Sequence, residues 1–216
     1  MAVCTPDKTG YAVNGVTYDR VTHVLDTVIA KEGLAKWRGR IGNDEADRIT
    51  EAAAERGTRI HDVCAGLAER IGMGENPVPR LDGMAEDEAK CVVQFLTWAR
   101  SRIREVYGVE RFLHSDRLMV AGTTDLIVRL GKDCFTAVVD IKTGSRIRLE
   151  YALQLAAYEM MAREECVVEG GVRRFVIRLD ATADEPEVRE FNDPTDAQAW
   201  LDAVSLYRWL TKRRRA

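Results

Sequence analysis

Asp140 and Lys142 stand two residues apart in "TAVVDIKTG", residues 136–144, within an otherwise apolar stretch. Side chains alternate along a strand, so this acid and this base point the same way while Val139 and Ile141 point the other. A surface ion pair has the same sequence pattern, but a run rich in Val and Ile is usually interior, where charges without a task are expensive. A second acid, Asp125, lies in "AGTTDLIVRL", which pairs with the first stretch through a turn at Gly131-Lys132-Asp133, so two carboxylates can converge from neighbouring strands. Hard divalent cations such as Mg²⁺ choose carboxylate and carbonyl oxygens, and one Asp from each strand plus waters leaves room for a phosphate oxygen. The chemistry that needs such a set is phosphodiester hydrolysis, with the lysine orienting a water and offsetting negative charge in the transition state. Gln154 and Tyr158 follow, four apart and so on one helix face beside Glu150, where they can hold the lysine or a nucleotide.

The triplet itself is weak evidence. Glu88-Ala89-Lys90 has the same pattern but falls in a helical segment, where residues two apart do not face each other. The elements around Asp140 therefore decide its meaning. Asn14-Gly15 between β-prone runs predicts a hairpin turn, and helices are expected over 20–29, 32–41 and 43–72. In the last of these, Ile60, Val63, Cys64, Leu67 and Ile71 recur at helical spacing as a buried stripe. "GMGENPVPRLDG" reads as a loop, and a long helix is expected over 85–107. Short strands follow at 109–114, 117–121, 123–130 and 134–142. A helix over 149–165, strands near 172–179 and 187–191, and a helix over 195–211 complete the pattern.

The totals are those of one globular α/β domain: 216 residues, 46% hydrophobic and 31% charged. A formal net charge of −3 gives no global pull towards nucleic acid, so binding to phosphate requires a local basic patch or a bound cation. Arg100, Arg102 and Arg104, then Arg146 and Arg148, then Lys212 to Arg215 supply such patches, each of which is equally a solvated face. Cys4, Cys64, Cys91, Cys134 and Cys166 form no C-x-x-C pair, which argues for reduced thiols rather than a zinc ribbon or disulfide framework. Neither an export signal nor a membrane span is expected, and the cytoplasm is the expected location. No G-x-x-x-x-G-K-[ST] occurs, which argues against an ATP-driven motor, and His23 and His114 show no partner pattern.

Taken together, Asp125, Asp140-Ile141-Lys142 and Gln154-x-x-x-Tyr158 resemble the PD-(D/E)XK nuclease superfamily. Gly122-Thr123-Thr124-Asp125 is similar to the G-T-x-D signature of its RecB-like and phage-exonuclease branch. "RGTRIHDV" resembles that branch's helix with a metal-ligating histidine, here His61, and "YGVERFL" places Glu110 where these proteins often carry an acid. The resemblance spans roughly residues 11–179. It implies a restriction-endonuclease-like core, a mixed central sheet flanked by helices, in a single domain with a helical N-terminal part (20–107), a catalytic sheet and helix (109–192) and a C-terminal helix (195–211). It implies Mg²⁺ or Mn²⁺ held by His61, Asp125, Asp140 and the Ile141 carbonyl, Lys142 as the group that positions water, and Glu110, Gln154, Tyr158, Arg146 and Arg148 in support. No iron-sulfur cluster is expected, since Cys166 stands alone near the end. The implied activity is exonucleolytic cleavage of DNA in phage or bacterial recombination and repair, with a single-strand-annealing or other recombination protein as a further partner and a homo-oligomer as an open assembly. The alternatives are a non-catalytic DNA-binding scaffold on the same fold, and a structure-specific or RNA-directed endonuclease.

Overall fold

A computed structural model of the chain describes residues 5–7, 9–30 and 32–214; Cys4 and Arg215, named above, lie outside them. The elements in chain order are β1 (Thr5–Pro6), β2 (Gly10–Val13), β3 (Val16–Arg20), α1 (Val21–Val28), α2 (Glu32–Ile41), α3 (Asn43–Gly72), α4 (Glu86–Arg102), β4 (Ile103–Ser115), β5 (Val120–Leu130), β6 (Phe135–Lys142), α5 (Glu150–Glu164), β7 (Val172–Arg178), β8 (Glu187–Glu190) and α6 (Asp196–Arg214).

Local chemistry accounts for most of the boundaries. Asn14 and Gly15 have φ of 50° and 81°, the conformation that a two-residue hairpin requires and that these residue types tolerate. α3 opens with Asp44 and Glu45 and closes with Arg70, charges that complement its dipole, and it buries Ile60, Cys64, Leu67 and Ala68 along one stripe. α4 opens on Glu86, Asp87 and Glu88, and the Glu88 carboxylate accepts the Ala85 backbone N–H at 3.1 Å and the Arg59 guanidinium at 2.6 Å. The Glu88-Ala89-Lys90 triplet thus serves a helix start, and Lys90 pairs with Glu86 one turn away.

All eight strands join one mixed sheet in the order β1-β2-β3-β5-β6-β7-β8, with β4 also paired to β5. β4 covers the whole of one edge of β5, from Ser115↔Val120 to Ile103↔Leu130. The other edge is shared: β6 pairs antiparallel with Leu126 to Leu130, and β3 pairs parallel with Val120 and Ala121. Between these two contacts lie residues 122–125, the G-T-T-D stretch, with no strand paired on that side. β6 meanwhile runs on beside β7 as far as Lys142↔Arg178. The strands therefore fork at Asp125 and Asp140.

Each sheet face has its own apolar core. One is filled by α1, α5 and α6, with Val24, Leu155, Met161 and Trp200 among its members; the other by α3 and α4, with Ile60, Phe95, Leu126 and Ile177. α5 lies between the sheet and α1 and α6, so it is apolar nearly all round rather than on one stripe. The α/β class with a mixed sheet flanked by helices is as expected, and the helical and sheet segments differ from expectation in three places.

The long helix expected over 85–107 stops at Arg102, and the sheet begins at Ile103, earlier than the 109 expected, because Ile103, Val106 and their neighbours pair with the end of β5. The expected strand over 117–121 is not a separate element: residues 116–119 form the turn between β4 and β5, with the Ser115 hydroxyl accepting the Leu118 N–H and Met119 at φ 43°. The sheet also recruits the N-terminal hairpin, so it is not confined to 109–192.

Candidate active site

The fork assembles the polar residues singled out above. Extending the register from Val109↔Leu126 and Arg111↔Thr124 sets Glu110 opposite Asp125, and extending it from Leu126↔Val139 sets Asp125 opposite Asp140. Glu110, Asp125 and Asp140 therefore form a row of acids across three adjacent strands. Where β6 leaves β5, the Ile141 N–H loses its strand partner, and it donates instead to Asp125 Oδ2 at 2.5 Å. The Lys142 carbonyl accepts from Leu179 on the β7 side, so by alternation the Ile141 carbonyl opens towards the fork.

α3 brings His61 to the other side of Asp125. Its Nδ1 lies 3.6 Å from Asp125 Oδ1 and 4.0 Å from a Glu110 oxygen, and ligand atoms of these three residues all fall within 4.8 Å of one another. Gly57, one turn earlier, faces Thr143: a Cβ there would sit 3.4 Å from the Thr143 hydroxyl, an ordinary contact distance. Glu110 has φ 43° although it is not glycine, a left-handed conformation costing on the order of 1 kcal/mol, and it does so within a strand, whereas Asn14, Met119, Cys134 and Cys166 do so in turns.

On the third strand, Lys142 Nζ lies 2.6 Å from Asp140 Oδ2 and 5.0 Å from the centre of the Tyr151 ring. Gln154 on α5 donates one amide N–H to Asp140 Oδ1 and another to the Tyr158 hydroxyl, both at 3.1 Å. Asp140 Oδ2 is buried and has the Lys142 ammonium as its partner, while Oδ1 takes the Gln154 amide. Tyr158 in turn lies against Gly122: a Cβ there would meet Tyr158 Cε1 at 2.7 Å. The glycine of the G-T-T-D stretch is thus a close-approach position, needed for space rather than for turning.

Crowding of buried charge sets the protonation behaviour. Burial pushes the Asp140 carboxyl up to about 6 despite the neighbouring ammonium of Lys142. Burial and the Asp125 charge push Glu110 up to about 7. Burial also works against ionised Asp125, but the His61 and Lys142 partners prevail and hold it below the usual carboxylate range. Burial disfavours the charged forms of His61 and Lys142, yet Asp125 raises the first and Asp140 the second. The cluster holds more carboxylates than cations at neutral pH, the condition a divalent ion relieves. The carboxylate oxygens of Glu110 and Asp125 and the His61 imidazole fit Mg²⁺ or Mn²⁺.

Two features of the site go beyond the sequence-based expectations. Glu110, expected as a supporting acid, stands with His61 and Asp125 among the possible ligands; the signal for this is its distance from the 116–119 turn, equal to that of Asp125 on the other arm of the hairpin. Tyr151, which no motif marks, lies against the lysine. Arg146 and Arg148 lie exposed on the connection between β6 and α5, with Arg148 paired to Glu150 at 3.5 Å, and they do not enter the acidic row. His114, which shows no sequence pattern, is tied to Glu165 by its ring Nδ1 at 3.0 Å and its backbone N–H at 2.9 Å, and His23 packs edge-on to Tyr207. Cys64, Cys91, Cys134 and Cys166 are free thiols.

A sheet that forks at an acid row, with a lysine beside it and a Gln/Tyr helix behind, defines a class of phosphodiester-cleaving site. A sequence model of the PD-(D/E)XK nuclease superfamily matches residues 32–210, and the chain belongs to that superfamily. Among curated proteins no match to the chain was found.

Proposed function

We propose that this protein is a metal-dependent deoxyribonuclease working from DNA ends, built as a single nuclease domain. The observation that supports this most directly is the row Glu110, Asp125 and Asp140 at the strand fork, with His61 on one flank and Lys142 on the other. His61, Asp125, Asp140 and the Ile141 carbonyl are the residues that would hold Mg²⁺ or Mn²⁺, and Glu110 joins them through its 4.0 Å approach to His61. A cation bound there supplies Lewis acidity to the phosphate and lowers the pKa of coordinated water.

The chain's own residues do the rest. Lys142, held against Asp140, orients the attacking water and counters charge as the phosphorane-like state forms. Gln154 fixes the Asp140 rotamer and is itself fixed by Tyr158. Arg146 and Arg148, exposed beside Lys142 in the chain, are suited to the DNA backbone. The choice of end-directed DNA cleavage, and of phage or bacterial recombination and repair alongside a single-strand-annealing or other recombination protein in the cytoplasm, follows the resemblance to the RecB-like and phage-exonuclease branch.

The test is digestion of labelled linear DNA, covalently closed circular DNA and RNA with Mg²⁺ or Mn²⁺. The expected result is loss of linear DNA, survival of closed circles, and a rate at least about a hundredfold lower for Lys142→Ala. Cleavage of closed circles or of RNA in preference would establish an endonuclease or RNA-directed activity. A contaminant-free wild type inert on every substrate and metal would establish the non-catalytic scaffold.

A further inference from the structure

Tyr151 occupies the first turn of α5, three residues before Gln154 and seven before Tyr158, so the three fall on one row of the helix facing the end of β6. Its ring lies over the Lys142 ammonium, with Nζ 5.0 Å from the ring centre. The other close partner of that ammonium is Asp140 Oδ2 at 2.6 Å, so the lysine is held between a carboxylate and an aromatic face. Lys142 stands at the last position of β6, and only 22% of its side-chain surface remains open to solvent. An amine on a four-carbon stem at a strand end has many rotamers, and a single ion pair with a carboxylate fixes its distance without fixing its direction. The ring removes the rotamers that would swing Nζ outwards.

We propose that Tyr151 is a positioning residue for the hydrolytic reaction: its ring face confines the Lys142 ammonium to the fork, so that Asp140 is free to turn an oxygen towards the cation. The Asp140 carboxylate and the Tyr151 ring thus together hold the ammonium, the first fixing its distance at 2.6 Å and the second lying 5.0 Å from Nζ. The attraction is between a cation and a ring quadrupole, so the phenol hydroxyl is not required and phenylalanine should serve as well. This role rests on the nuclease reading given above, whereas the placement of the ring over the ammonium stands independently of it.

The experiment compares wild type, Tyr151→Phe and Tyr151→Leu. Leucine keeps an apolar side chain against the neighbouring core, in which Tyr151 takes part, while removing the ring. Carbon–proton correlation spectra of ε-¹³C-lysine-labelled protein report the placement, with Lys142→Arg assigning the signal. An ε-methylene below an aromatic face is shifted upfield by the ring current. The expected result is an upfield Lys142 signal in wild type and Tyr151→Phe that returns among the other lysines in Tyr151→Leu. On linear DNA with Mg²⁺, Tyr151→Leu should lower kcat by about 3- to 30-fold, the span of a cation–π contact with a partly desolvated ammonium, with KM within about twofold and Tyr151→Phe close to wild type. An unshifted Lys142 signal in wild type overturns the placement, and a Tyr151→Leu enzyme with wild-type kcat, or a Tyr151→Phe enzyme as impaired as Tyr151→Leu, overturns the role. A wild type that carries the upfield signal but cleaves nothing overturns the nuclease reading and with it the role, leaving the placement intact.

Discussion

At the scale of single residues, the acid row is unstable until something cationic joins it. Asp140 is raised to about 6, so in the unfolded chain it ionises near its ordinary value while the folded protein still holds the proton. The cost of ionising it in the fold is absent below about pH 4 and fully present above its folded value. His61 acts in the same direction at higher pH, since its raised value lends stability that is lost as the imidazole deprotonates. Glu110, raised to about 7, acts in the same direction, so metal-free protein should lose at least roughly 1–3 kcal/mol of unfolding free energy between about pH 4 and pH 7, because each tenfold gain in proton affinity on folding is worth ~1.4 kcal/mol. Urea unfolding across that range in EDTA measures it; Asp140→Asn should reduce the slope between about pH 4 and 6 and leave the share due to Glu110, and Mg²⁺ at neutral pH should restore stability to wild type. A flat profile for wild-type protein would contradict the burial of Asp140 as a charged group. At this scale the sequence was readable where the rule is local: strand alternation placed Asp140 with Lys142, and helical spacing placed Gln154 with Tyr158. The place of Glu110 opposite Asp125 was harder to read, because it follows only once residues 116–119 are known to be the turn from which both strands are counted, and those residues read as part of a strand.

At the scale of elements, α5 is the part that has to sit correctly. Gly122→Ala would put a methyl group 2.7 Å from Tyr158 Cε1, and the buried ring has no space to retreat, so the helix must move and take Gln154 from Asp140. The expected outcome is a loss of about 1–3 kcal/mol in urea unfolding together with reduced cleavage; wild-type values for both would show that the contact is dispensable. The far end of α5 is fixed by a buried ion cluster, in which Arg174 of β7 reaches Asp196 at 3.1 Å, Glu159 at 3.4 Å and the Asp193 carbonyl at 3.0 Å. Arg174→Met leaves Asp196 without its cation, whereas Glu159 keeps Arg163 at 2.8 Å, and should cost about 1–3 kcal/mol by the same measurement; Asp196, which burial already raises, should then take up a proton more readily. The end of α4 shows why element boundaries were harder to read than element types. "IREVYG" contains no helix breaker before Gly108, and what ends the helix at Arg102 is pairing with Leu130 and its neighbours, a contact made with residues some 25 positions away.

At the scale of the whole molecule, a chain of net charge −3 that opens an acidic notch to a polyanion has its electrostatics the wrong way round until a cation is bound. DNA affinity should accordingly depend on divalent ions even when no cleavage follows. With Ca²⁺ in place of Mg²⁺, fluorescence anisotropy on a short duplex should show binding at least about tenfold tighter than in EDTA, weakening as monovalent salt rises, and Asp125→Ala should abolish the gain. Equal affinity in Ca²⁺ and EDTA would place the DNA contacts away from the fork. No helix among the described residues is long and apolar enough to cross a membrane.

The shared edge of β5 has a consequence for how the molecule comes into being. Its β6 part belongs to a tight hairpin and can form early, but its β3 part joins Asp19 to Val120, roughly a hundred residues apart, the kind of closure that comes late because chain entropy opposes it. A chain that has paired only β4, β5 and β6 already displays its acids, yet α1, which follows β3 and packs with α5 in one core, is not yet in place behind the helix that carries Gln154 and Tyr158. On the proposed nuclease reading, competence to cut would mature with the last long-range strand pairing.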